Sequence, residues 1–184
     1  MNDTKEYPKE TINIIDVKSP INWDEYFMLL AMMASYRSKD PSTKVGCVFV
    51  DQNNHQLSMG YNGFVAGIDE TKLPWGKDQS VSMEHQKYSY VVHAEANAIL
   101  HSKSNLEGTK CYVTLFPCHE CAKLLASKKV QEVIFLSNKH QGRESYNISQ
   151  KILSLSGIKY RQLKLKDNLG QDVSEHFTQL TKDL

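Results

Sequence analysis

The order of periodic segments predicts an α/β fold in which a mixed five-stranded sheet lies between helices in a three-layer α/β/α arrangement. Three observations carry this. Two short runs, Val45 to Val50 and Gln56 to Tyr61, flank the turn Asp51-Gln52-Asn53-Asn54-His55 as the arms of an antiparallel hairpin would. From Val91 onward helical and extended patterns alternate, the signature of parallel crossovers with helices on both faces. At 184 residues the chain suits one domain with a substantial core.

Each element has its own signal. Residues 1–20 show no period and read as an N-terminal arm. Asn22 opens a helix, with Glu25 three residues on to complete a capping box, and Trp23, Phe27, Leu30, Met33 and Ala34 recur at helical spacing. Pro41 ends it, because a proline drives the residue before it out of the helical region. After the hairpin, Asn62 to Gln86 has no clean period and contains Gly63, Gly67, Pro74 and Gly76. A loop that long inside a compact domain is usually functional. Helices are then expected over Val91 to Ser102, Cys118 to Ser127 and Ser145 to Ser156, the last stopped by Gly157. Strands are expected over Lys110 to Phe116, Glu132 to Leu136 and Ile158 to Leu165. Residues 21–166 make the domain, and 167–184 read as a polar, weakly patterned tail.

Composition excludes several classes. The formal net charge is +1, with apolar residues at 40% and charged residues at 23%. Proteins that live on a nucleic-acid backbone usually carry a basic excess, so none is expected as partner here. No run approaches the roughly 18 apolar residues of a membrane span, and the polar start Met1-Asn2-Asp3-Thr4-Lys5-Glu6 does not read as a secretory signal. Four cysteines are too few for a disulfide scaffold, and a C-x-x-C pair suits a reducing cytoplasm.

Two segments carry the chemistry: Val92-His93-Ala94-Glu95 at one helix start, and Phe116-Pro117-Cys118-His119-Glu120-Cys121 where a strand gives way to a helix. Cys118 and Cys121 are three apart, so at a helix start both sulfurs can face one point, and the positive helix end favours their thiolate forms. Pro117 suits that position, with φ fixed and no N–H to leave unsatisfied. His93 adds a third donor, and three protein ligands leave a fourth position open for water, the pattern of catalytic zinc. Glu95, two residues past His93, can lie beside the metal without ligating it. A lone C-x-x-C is as often redox-active or half of a structural site, and a lone H-x-E means little; together, in this order, H-x-E and P-C-x-x-C resemble the signature of zinc nucleobase deaminases. His119 competes as a ligand only if its helical position is overridden. Cys47 and Cys111 read as small core residues, and His55, His85, His101, His140 and His176 as mostly surface residues.

Arg37-Ser38-Lys39-Asp40-Pro41, then Gly60-Tyr61-Asn62-Gly63, His93-Ala94-Glu95-Ala96-Asn97-Ala98-Ile99 and Phe116-Pro117-Cys118-His119-Glu120-Cys121-Ala122-Lys123 resemble the deoxycytidylate deaminase branch of the zinc-dependent cytidine deaminase superfamily. The resemblance runs from about Trp23 to Leu163. It implies the cytidine-deaminase-like fold, a catalytic zinc on His93, Cys118 and Cys121, and Glu95 as the group that shuttles protons while dCMP becomes dUMP, the precursor for thymidylate synthesis. It also implies that Asn62 bonds the sugar or base, with a turn residue before Gly63 as the alternative. Arg37 becomes a candidate for the 5′-phosphate, since a guanidinium fork suits phosphate. Arg143 and Tyr146 become candidates to close the pocket, and Asn97 to tune it. Many members are homohexamers regulated by dCTP and dTTP near the Gly60-Tyr61-Asn62-Gly63-Phe64 loop, so effector binding there, with Mg2+ accompanying the nucleotide, is a further expectation.

Rivals remain at this point. A transfer-RNA editor would want a basic surface. A deaminase-fold accessory protein without turnover would most cheaply have lost Glu95. A structural zinc module would need a fourth ligand at ligand spacing.

Overall fold

The structure is a computed structural model and describes residues 20–182. The expected N-terminal arm, apart from Pro20, lies outside the described residues.

Helix α1 (Trp23–Ser35) starts as its capping box demands. The Asn22 side chain accepts a hydrogen bond from Glu25 N at 2.9 Å and donates one to Glu25 Oε2 at 2.8 Å. Strands β1 (Gly46–Val50) and β2 (Gln56–Tyr61) form the antiparallel hairpin. Strands β5 (Lys110–Leu115), β6 (Glu132–Ser137) and β7 (Lys159–Gln162) are mutually parallel, linked by α3 (His119–Ser127) and α4 (Glu144–Leu155). The sheet order is β2-β1-β5-β6-β7, with β1 antiparallel to both neighbours. The five-stranded mixed sheet is therefore as expected.

Alternation along β1 divides the core. Val48 and Val50 face α1 beside Phe27, Met28 and Ala31. Cys47 and Phe49 face the opposite layer, where Ala94 and Ala98 of α2 (Ala94–His101), Leu125 of α3 and Leu153 of α4 close the second cluster. β1 is buried at every residue because both faces are covered.

Boundaries differ from expectation in several places, and the last strand, expected over Ile158 to Leu165, runs only over Lys159–Gln162. The helix predicted from Val91 begins at Ala94, because Val91–Val92 is a strand, β4, pairing with β3 (Gly63–Phe64). β-Branched residues suit that pairing better than a helical turn. The aperiodic loop between these strands holds three single 3-10 turns, Glu70–Lys72, Met83–His85 and Lys87–Ser89. Its Trp75 packs on Phe64 with ring centroids 4.1 Å apart, and Lys87 N donates to Gly76 O at 2.8 Å. The tail is also more ordered than its composition suggests: Leu169–Lys182 forms helix α5, of which Leu169 alone is buried.

Candidate metal centre and active site

Two helix starts meet at the C-terminal end of β5. His93 is the N-cap of α2 and Cys118 the N-cap of α3, both in extended conformation. α2 is held there by close contact with β2. A Cβ on Gly60 would stand 2.4 Å from Ala94 O and Ala98 N, so only glycine lets the helix backbone approach this near. Ser58 Oγ donates to Ala98 O at 2.6 Å, and Asn97 Nδ2 donates to Tyr61 O at 2.8 Å.

His93 Nδ1 lies 3.3 Å from Cys118 Sγ and 3.4 Å from Cys121 Sγ. The three donor atoms sit within 4.8 Å of one another. Zn–S and Zn–N bonds of the usual lengths at a tetrahedral angle put N and S about 3.5 Å apart, so the donor set fits zinc with little adjustment. Without metal the group resembles a thiolate–imidazolium pair. Cys118 is brought down to about 4, first by the hydrogen bond from Cys121 and then, against burial, by His93. His93 is raised to about 9, chiefly by its bond to Cys118. The Cys121 thiol is pushed well up by Cys118, by burial and by Glu95.

Glu95, in the first turn of α2, is 4% exposed. Burial raises its carboxyl above the usual range, and the nearby His93 only partly offsets this. A carboxyl poised to hold a proton thus borders the metal group, and both open onto a cavity of about 700 Å³.

The cavity separates the other candidates. Asn62, Arg143 and Tyr146 line it. Tyr146 is buried against Phe116, ring centroids 4.3 Å apart, and Arg143 is exposed at the N-cap of α4. Arg37 is exposed just beyond α1 and is not among the lining residues, so the structure does not bring it to the site. Asn97 is likewise off the lining, its side chain committed to the Tyr61 carbonyl as a brace between α2 and β2. In the Gly60–Phe64 loop, Gly60 and Phe64 are buried in packing while Tyr61 and Gly63 are partly exposed. His119 lines the cavity, but its Nδ1 pairs with Ser145 Oγ at 2.9 Å and it stands outside the three-donor group.

Sequence reasoning missed one cluster. Asp40, part of the Arg37–Pro41 segment that carries the resemblance but given no role there, is 3% exposed and accepts from Ser42 N at 2.8 Å and Thr43 N at 3.1 Å. Its two oxygens also take bonds from Lys87 Nζ at 2.9 and 2.6 Å. Burial opposes its ionisation, but Lys87 and the two backbone donors outweigh this and hold the carboxyl below its usual range. Asn62 completes the cluster: Oδ1 accepts from Val45 N at 2.8 Å, and Nδ2 donates to Thr43 O at 3.0 Å and Asp40 Oδ2 at 3.2 Å. The Asn-Gly step was the available signal; a lysine in an aperiodic loop gave none.

The family described as "Cytidine and deoxycytidylate deaminase zinc-binding region" matches residues 21–137, which hold all three donors and Glu95. The chain belongs to this family. A probable deoxycytidylate deaminase of Drosophila melanogaster is 42% identical over 150 residues, 79% of this chain and 74% of that protein. A deoxycytidylate deaminase of Mus musculus is 40% identical over 147 residues, 79% of this chain and 82% of that protein. The crystal structure of dCMP deaminase from cyanophage S-TIM5, in complex with dCMP and dUMP, superposes with a TM-score of 0.61 at 23% identity, covering 76% of this chain and 95% of that one. That likeness establishes the cytidine-deaminase-like fold of this deaminase.

Proposed function

We propose that the protein hydrolyses dCMP to dUMP and ammonia. The observation that carries this reading is the charge of the cavity that holds the His93–Cys118–Cys121 group. Among the described residues its lining carboxylates are Glu95 and Asp40, and Asp40 is matched by Lys87. Lys77 and Arg143, also in the lining, have no acidic partner among the described residues. A mononucleotide phosphate supplies what they lack, and Arg143, not Arg37, is placed to take it. The volume lies within the roughly 300–1,000 Å³ of small-molecule sites, which favours a free nucleotide over a folded RNA. The names of the relatives at about 40% identity support the same substrate.

Zinc, when bound by His93, Cys118 and Cys121, supplies the Lewis acidity that brings a water towards neutral pKa. Glu95 would take one proton from that water and deliver it to ring N3 as oxygen adds to C4. It would then take the second proton from the new C4 hydroxyl and give it to the amine as the C4–N bond breaks, leaving Glu95 a carboxylate again. One carboxyl serves as base and then acid because its proton is returned within the turnover. Its burial matches this, since a carboxyl raised above its usual range is a stronger proton acceptor than a free glutamate. Asn62, its amide already committed on three sides, orients rather than reacts. Tyr146 walls the cavity beside Phe116. The test is ammonia release from dCMP by zinc-loaded protein, its loss after chelation, and its return on adding zinc. Failure of turnover in fully metallated protein would refute the reading.

The finer expectations extend it. Residues 21–166 serve as the deaminase domain, and the product supplies dUMP for thymidylate synthesis. A homohexamer would cover the exposed Met33, Tyr36, Met59 and Leu100. Effector binding of dCTP or dTTP, with Mg2+ on the triphosphate, would fall to Tyr61 and Gly63, the partly exposed members of their loop. Among the described residues no helix is long and apolar enough to cross a membrane, and free thiols suit a cytoplasmic setting.

A further inference from the structure

We infer that Lys87, held by Asp40, is a specificity-determining residue that reads the 3′-hydroxyl of the bound nucleotide. The inference rests on the nucleotide reading of this cavity and concerns a residue outside the zinc motifs. Lys87 lies in the 3-10 turn that ends the long loop, its side chain 7% exposed, yet it lines the cavity. A buried lysine away from any partner would be costly, and Asp40 removes that cost. Two ammonium protons go to the two Asp40 oxygens. The third has no hydrogen-bond acceptor among the described residues; the Tyr88 ring centroid is 5.6 Å away and Tyr88 is itself part of the lining. A lysine ammonium carries three donors, so the one left over at the cavity wall is available to a ligand acceptor.

The chemistry of that acceptor follows from charge and from the neighbouring groups. The Lys87–Asp40 pair is neutral as a unit, so it does not select for an anion; Lys77 and Arg143 are free to do that. Asn62 Nδ2 bonds the same carboxylate oxygen, Asp40 Oδ2, that Lys87 bonds, which sets the two side chains side by side in the wall. Asn62 Oδ1 accepts one backbone bond and has a second lone pair to offer. A spare donor beside a spare acceptor fits a group that accepts and donates at once. A sugar hydroxyl does both, and on a deoxynucleotide 5′-monophosphate the ring offers only the 3′ one.

The experiment is a cycle of protein and substrate changes. Wild-type, Lys87→Met and Asp40→Asn/Lys87→Met proteins are compared on dCMP and on 2′,3′-dideoxycytidine 5′-monophosphate. The double variant replaces the ion pair by neutral groups and so avoids stranding a buried carboxylate. In the wild type, loss of the hydroxyl is expected to lower kcat/KM about tenfold to a hundredfold, the range of a hydrogen bond to a charged group. In both variants that ratio falls to within about threefold, through loss on dCMP alone. Equal use of the two nucleotides by the wild type overturns the inference, whatever the variants do. So does a variant that slows both nucleotides alike and keeps the wild-type ratio, the behaviour of a mere brace. If no nucleotide is turned over, the proposed activity fails by itself. The same ratio in dissociation constants, from calorimetry on the zinc-loaded protein, then decides for or against Lys87.

Discussion

Gly60→Ala should disable the metal centre from a residue that touches neither metal nor substrate. The added Cβ would meet Ala94 O and Ala98 N at 2.4 Å, against the 3.4 Å at which ordinary contact begins, so about 1 Å must be found between β2 and α2. Both obstacles are helix backbone, and no flexible side chain can yield in their place. Overpacking of this kind costs about 1–3 kcal/mol, and at this chain length each kcal/mol lowers Tm by about 2–4 °C. A fall of roughly 2–12 °C is expected. α2 also carries His93 and Glu95, whereas Cys118 and Cys121 sit on α3. Moving one helix against the other should weaken zinc about 10- to 100-fold, as removal of a supporting contact does, and a displacement near 1 Å costs about 100-fold in turnover. Thermal melting, chelator competition and ammonia release would be read together. Gly46→Ala is the comparison: its Cβ would meet Ala31 O of α1, so stability should fall while zinc affinity stays, because α1 carries no donor. A Gly60→Ala protein with unchanged Tm and zinc affinity would refute the packing argument.

Glu95→Gln keeps the size and burial of the side chain, so zinc content should be unchanged while kcat falls about 10²–10⁴-fold; equal loss of zinc would point to a structural role. Arg143→Ala should raise KM for dCMP about ten- to a hundredfold, the worth of a charge-assisted bond, and leave turnover of deoxycytidine unaltered; an equal effect on both would remove the phosphate contact. In metal-free protein at pH 7, His93 lies at about 9 and so carries a proton, Cys121 is raised and protonated, and Cys118 at about 4 is already a thiolate. Zinc uptake should therefore release two protons, one each from His93 and Cys121, which calorimetry in buffers of different ionisation enthalpy would count.

How much of this was legible in the sequence depends on whether chemistry or context chose the residue. His93, Cys118 and Cys121 were legible because zinc accepts few residue types and the spacing follows from helix geometry. Strands were legible where β-branched residues cluster, and the hairpin where Asp51 to His55 interrupts them. Helix α5 was hidden by a polar composition, although Leu169, Val173, Phe177 and Leu180 do recur at helical spacing. Arg37 and Asn97 have side chains that suit a nucleotide, but only the fold reveals one turned to solvent and the other spent on a carbonyl. Lys87 is the converse: lysine is usually exposed, and nothing local says that Asp40, 47 residues earlier, will meet it.

The most direct test offers zinc-loaded protein equal concentrations of dCMP, deoxycytidine, dCTP and a transfer RNA in one vessel and identifies the deaminated product. Deoxyuridylate should form first and dominate, and Glu95→Gln protein should form none at a comparable rate. Preferential deamination of the nucleoside or the RNA would contradict the assignment of Lys77 and Arg143 to a mononucleotide phosphate, and with it the substrate proposed here.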